Sequence, residues 1–206
     1  MLAIIAVIVL PLVMLTTSVK PAPLPHDITM SLSHTVVIDG PIGPGVLKRA
    51  STRMATIMAA DPRLLIDVVI DTPGGLYDTD AEVLLSYMDR LVANGVTVRC
   101  TVANAAYSMG AIILSHCSQR YLSPTSTVLV HAARVRGVVA NQFELETLIH
   151  TLQELDSTIW HPMRMLLADD TYFDTMFKEE RRIPGMELVA KFPNVFTPLA
   201  SIRVVE

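Results

Sequence analysis

An α/β layered domain with a largely parallel sheet is predicted by three features of this sequence. Apolar, β-branched runs at residues 35–39, 64–70 and 96–103 alternate with helical periodicity at 46–60 and 77–94. The run at 64–70 is apolar at every position but Asp67, as a strand of a parallel sheet is when helices cover both sides. The strand–helix–strand alternation calls for right-handed crossovers, which bring each strand back parallel to the one before.

Each element has its own signal. Gly40, Pro41, Gly43, Pro44 and Gly45 break the first strand, and Ala50, Met54, Ile57 and Met58 then mark one face of a helix. In the second helix that face is Ala81, Leu84, Leu85, Met88, Leu91 and Val92, with Asp78 or Thr79 as cap and Gly95 as stop. Residues 105–111 read as a sharp small-residue turn from the 96–103 strand into a short buried helix ending near Cys117. A brief strand at 120–122 and a turn at Ser123 and Pro124 lead to a strand ending on His131. Residues 134–141 carry no pattern, and their arginines, Arg134 and Arg136, are either carboxylate ligands or solvated side chains; solvated is the expectation. Asn141 with Glu144 reads as a capping box. It opens a long helix whose stripe is Leu145, Leu148, Ile149, Leu152, Leu155 and Ile159, disturbed near Pro162.

The 206 residues suit one domain with a real core. Hydrophobic residues make up 51% and charged residues 17%, and part of that excess is the continuous apolar run at residues 2–15. This run is short for a spanning helix and long enough for the apolar part of a signal peptide. It reads as a cleaved signal, a retained anchor or an apolar arm on a partner subunit. No Lys or Arg precedes it, and Lys20 alone flanks it, so its orientation is not assigned. Pro21, Pro23 and Pro25 make a stiff spacer. The expected organisation is therefore a signal or anchor with spacer over 1–25 and a folded domain over 26–206. A net charge of −4 argues against general nucleic-acid binding.

The chemistry centres on Ser108. Between Tyr107 and Met109 it stands at the start of a helix, where N–H groups and the dipole favour a developing negative charge; the same position also suits a helix cap. Asp71-Thr72-Pro73-Gly74-Gly75-Leu76 ends an apolar strand in a turn whose glycines let the backbone approach a ligand closely. His131 ends a β-branched strand, as a base or as a structural residue. The six histidines show no metal-ligand spacing, no phosphate-binding GxxxxGK[ST] loop is present, and no cofactor is expected. Cys100 and Cys117 both sit among apolar neighbours; a disulfide between them requires an oxidising compartment.

The glycine turn at 71–75, the serine turn at 105–111 and the strand 128–131, in that order, resemble the three signature stretches of the Clp-type serine peptidases, over residues 35 to 192. The resemblance implies the layered Clp/crotonase-like fold, with a projecting long helix that builds contacts between rings. It implies Ser108 as nucleophile, His131 as general base, and the N–H groups of Gly75 and Met109 as the oxyanion hole. The triad acid falls among Asp169, Asp170, Asp174, Glu179 and Glu180, with Asp174 chosen and Asp170 second. The implied substrate is polypeptide and the implied assembly a ring of like subunits, served by a partner ATPase where unfolding is needed.

The chain departs from the family pattern at Ala132 and Ala133, where Gln-Pro is usual, in its shorter following loop, and in its apolar N-terminus, which suggests a membrane-associated relative. Membrane-bound signal peptide peptidases of this broad fold use a Ser-Lys dyad, but no lysine follows Ser108 closely. Two other readings stay open: a non-catalytic scaffold subunit and a crotonase-like acyl-CoA enzyme.

Overall fold

In the computed structural model, residues 23–62, 65–135 and 141–206 are described. The apolar run at residues 2–15 and Arg136 lie outside them. The strands are β1 (His26–Ser31), β2 (Thr35–Asp39), β3 (Ile66–Thr72), β4 (Val98–Tyr107), β5 (Gln119–Leu122), β6 (Thr127–Leu129), β7 (Ile183–Pro184) and β8 (Thr197–Val205). The helices are α1 (Val46–Ala60), α2 (Thr79–Ala93), α3 (Met109–Ser115), α4 (Gln142–Ile159), α5 (His161–Leu167), α6 (Asp170–Glu179) and α7 (Gly185–Lys191).

The predicted α/β class holds. The sheet runs β1-β8-β5-β4-β3-β2, and β6 pairs with both β4 and β7. Its pairings are parallel except for the antiparallel β6–β7 contact. Ile66, Val68 and Ile70, which share one face of β3, are fully buried; on the other face Asp67 is buried in an ion pair with Arg99 and Val69 is half-buried. Burying each of the fully buried apolar side chains contributes roughly 1.5–3 kcal/mol.

β4 is the axis on which the site is built. Its first half, Arg99 to Val102, pairs with β5; its second half, Ala105 to Tyr107, pairs with β6. Between the halves the β3–β4 register slips: Ile70 faces Val102, but Thr72 faces Ala106. The extra chain is held by Asp71, whose carboxylate accepts from the Ala105 N–H at 3.1 Å and the Asn104 amide at 2.6 Å. Such a bulge leaves backbone groups unpaired and re-aims the strand; here a side chain supplies the missing partner. The expected end of the strand at 103 is thus corrected to Tyr107.

Helix α3 is buried along its whole length. Arg120 of β5, itself buried, donates to the carbonyls of Leu114 and Ser115 at 2.9 and 3.0 Å and so caps the C-terminus of α3 with a cation. Burial pushes its guanidinium down to about 10. A disulfide joins Cys100 of β4 to Cys117 just after α3, Cα to Cα 5.9 Å. The strand that enters the serine turn and the helix that leaves it are thereby linked covalently.

The Asn141–Glu144 capping box is present in both directions. The apolar stripe of α4 is not core over its first half, since Leu145 and Ile149 are exposed, beside an exposed Phe143, and the buried end is Ile159. Pro162 falls in the first turn of α5, where it costs no hydrogen bond.

Candidate active site

Three chain ends converge at one cavity of about 790 Å³, bordered by Gly74, Gly75, Ser108, Met109 and His131. Sheet geometry brings them there. Tyr107 pairs with Leu129, and the Ser108 N–H donates to the Leu129 carbonyl at 2.9 Å, so the end of β4 is tied to the strand that delivers His131.

Ser108 has φ 51° and ψ −116°, a conformation that costs a non-glycine residue about 1–3 kcal/mol. It stands at the N-cap of α3 but makes no side-chain cap bond. The helix-cap reading therefore does not account for it, and Ser108 lines the cavity.

The glycine turn packs directly beneath. Gly74 has φ +90°, and a Cβ there would lie 2.6 Å from both the Ser108 Cβ and the Tyr107 carbonyl. At Gly75 a Cβ would collide with the Ile42 carbonyl. Thr72 fixes the turn, donating its hydroxyl to the Gly40 carbonyl at 2.6 Å and accepting from the Gly74 N–H at 3.0 Å. Among the described residues the N–H groups of Gly75 and Met109 donate to no protein acceptor. Met109 opens α3, where the first N–H groups have no intrahelical partner.

The His131 Nδ1 lies 2.7 Å from the Ala132 carbonyl oxygen. A carbonyl only accepts, so this bond puts the proton on Nδ1 and leaves the Nε2 lone pair available to take one. The structure does not bring Asp174 to His131. Its carboxylate accepts from the Arg164 guanidinium at 2.6 Å, and Asp170 lies 3.5 Å from the same group. Asp169 caps α6 through the Tyr172 N–H and pairs with Lys191. Glu179 lies 3.7 Å from Arg181.

Two other carboxylates lie within reach of the His131 charge. Glu180 is the C-cap of α6, three residues before Ile183 of β7, which pairs antiparallel with Val128 of β6. A bond from Arg134 holds the Glu180 carboxyl below its ordinary range, with the charges of Arg134 and His131 adding to the effect. Asp156 of α4 accepts from the Ala133 N–H at 2.8 Å. Burial pushes its carboxyl up, against the lowering effects of that bond and of His131. Glu180 stood among the sequence candidates, but Asp156 did not. Asn141 and Glu144 mark where α4 begins, but no local signal says which of its acids turns towards the loop after His131.

No group of His, Cys, Asp and Glu able to hold a metal ion is found among the described residues. A protein-family model described as Clp protease matches residues 26–168. No curated protein matches the chain.

Proposed function

Because the chain belongs to the Clp protease family, whose model spans most of its length, we propose that it is a serine peptidase working through Ser108, His131 and a carboxylate. Membership gives a peptidase acting on polypeptide. The serine mechanism rests on one observation above all: a strained, uncapped Ser108 shares a cavity with His131 and with two unpartnered N–H groups.

In this reading Ser108 Oγ attacks the peptide carbonyl while His131 Nε2 takes its proton. The carbonyl oxygen becomes an oxyanion against the N–H groups of Gly75 and Met109. His131 returns the proton to the departing amine, and water then hydrolyses the ester. An orienting carboxylate stabilises the imidazolium as it forms. Glu180 takes that place in the proposal instead of Asp174, which Arg164 engages. Reaching His131 requires the Nδ1–H to exchange its hydrogen bond to the Ala132 carbonyl for one to Glu180.

One observation favours a second reading, a non-catalytic subunit. No carboxylate is hydrogen-bonded to His131 among the described residues. Hydrolysis of an unfolded polypeptide, followed by mass spectrometry, separates the two: new termini that vanish with Ser108→Ala support the peptidase, and intact substrate in an assembled sample supports the scaffold.

The reading extends to the rest of the chain. Residues 1–25 serve as an export signal or membrane anchor with its spacer, and 26–206 as the peptidase domain. No helix among the described residues is long and apolar enough to cross a membrane; in the proposal the anchor is the N-terminal run. The Cys100–Cys117 disulfide supports a peptidase domain on an oxidising side of that membrane. The uncovered Phe143, Leu145 and Ile149 on α4 support a ring of like subunits, and a partner ATPase supplies unfolding where folded substrates are taken.

A further inference from the structure

Arg134 is the one permanently charged side chain that lines the Ser108 cavity among the described residues. The rest of that wall is apolar or neutral, with Leu76, Leu152, Leu155 and Trp160 as its bulk, and no Asp or Glu belongs to it. An anion entering the cleft therefore meets an attracting cation and no repelling carboxylate, in a setting where apolar walls strengthen the attraction.

Arg134 is not idle. Its guanidinium bonds the Oε2 of Glu180, whose carboxyl lies within reach of the His131 charge. With Glu180 so held, the His131 Nδ1–H donates to the Ala132 carbonyl. Both members of the ion pair are well exposed, 60% for Arg134 and 39% for Glu180. An exposed pair of this kind changes an equilibrium constant by less than a factor of about five. A second carboxylate can thus take the arginine at little cost.

We propose that Arg134 is a specificity residue that binds a carboxylate of the peptide substrate, and that this exchange releases Glu180 to orient His131. The inference rests on the serine peptidase reading. Arg134 touches substrate and acts on His131 only through Glu180, so acidic peptides would be bound and activated by the same contact. The carboxylate belongs either to an Asp or Glu side chain or to the peptide's C-terminus.

The test uses the full chain and two pairs of matched peptides, cleavage being read by mass spectrometry. One pair differs by Glu against Gln at a single internal position, the other by a free against an amidated C-terminus. Wild type is expected to favour the acidic member of one pair by about fivefold in kcat/KM, and the pair that responds identifies the source. Arg134→Met is expected to abolish that preference while cleaving the neutral peptide faster than wild type does. Arg134→Lys is expected to retain most of the preference. Equal kcat/KM for both members of both pairs in wild type overturns the proposal, as does an undiminished preference in Arg134→Met. Cleavage that persists in Ser108→Ala, or no cleavage of any peptide, overturns the peptidase reading and this inference with it.

Discussion

The Ser108 N–H donates to the carbonyl of Leu129 at 2.9 Å, and this bond ties the serine turn to the strand that ends two residues before His131. The relation between Ser108 and His131 is therefore set by backbone pairing in the sheet, not by the side chains themselves. Gly74 closes the same arrangement from below. Gly74→Ala would push a methyl group to 2.6 Å from the Ser108 Cβ. A displacement near 1 Å costs about 100-fold in rate, so kcat/KM of Gly74→Ala should fall by about that factor while the protein stays folded by circular dichroism.

The identity of the orienting acid separates two substitutions. Asp174→Asn removes one partner of a half-exposed ion pair with Arg164. It should cost no more than about 1 kcal/mol of stability and leave kcat within about twofold of wild type. Glu180→Gln should lower kcat by about 100-fold or more, since loss of the orienting carboxylate typically costs several orders of magnitude. Steady-state kinetics on one peptide substrate decides between them, and a large loss in Asp174→Asn alone would restore that residue to the triad.

Asp156 predicts a pH dependence of stability. Burial raises its folded-state pKa above the unfolded value, so its protonated form is the one the native state favours. Its contribution is full below the ordinary carboxylate range and is lost as pH rises through the raised value. Asp156→Asn keeps an acceptor for the Ala133 N–H without the charge. Its Tm should exceed that of wild type at pH 7, and the gap should close by about pH 4. A gap of the same size at both values would contradict the assignment.

The disulfide predicts a redox effect. Cys100 and Cys117 are 17 residues apart, and closing a loop of that size stabilises a fold by about 3 kcal/mol. Reduction, or Cys100→Ala with Cys117→Ala, should lower Tm by roughly 6–12 °C in a domain of this length. Intact mass under non-reducing alkylation tests the bond itself, since the oxidised protein takes up no label at either cysteine.

The parts of this molecule that the sequence announces are those with local signals. β3 is apolar at Ile66, Val68, Val69 and Ile70, Asp78 caps α2, and Asn141 with Glu144 caps α4, so these elements are readable from short windows. The strands β1 and β8 at one end of the sheet are not, because β8 contains Pro198 and is exposed from Ala200 onward, and pairing between strands over 170 residues apart leaves no local pattern. Ser108, His131 and the Gly74–Gly75 turn stand out for the same reason as the helices: a strand ending on small residues or on a histidine is visible in one window. The carboxylates near His131 are invisible there. Glu180 arrives at the C-cap of α6, just before β7, and Asp156 on α4, where it meets the Ala133 N–H. Asp71 likewise reads only as part of a turn, although it holds the bulge on which the direction of β4 depends.

The most direct test of the account is covalent labelling of the assembled protein with a fluorophosphonate, with the modified peptide located by mass spectrometry. The account predicts one adduct per chain, on Ser108, lost in Ser108→Ala and strongly slowed in His131→Ala. No adduct on Ser108, or labelling of equal rate in His131→Ala, would contradict it.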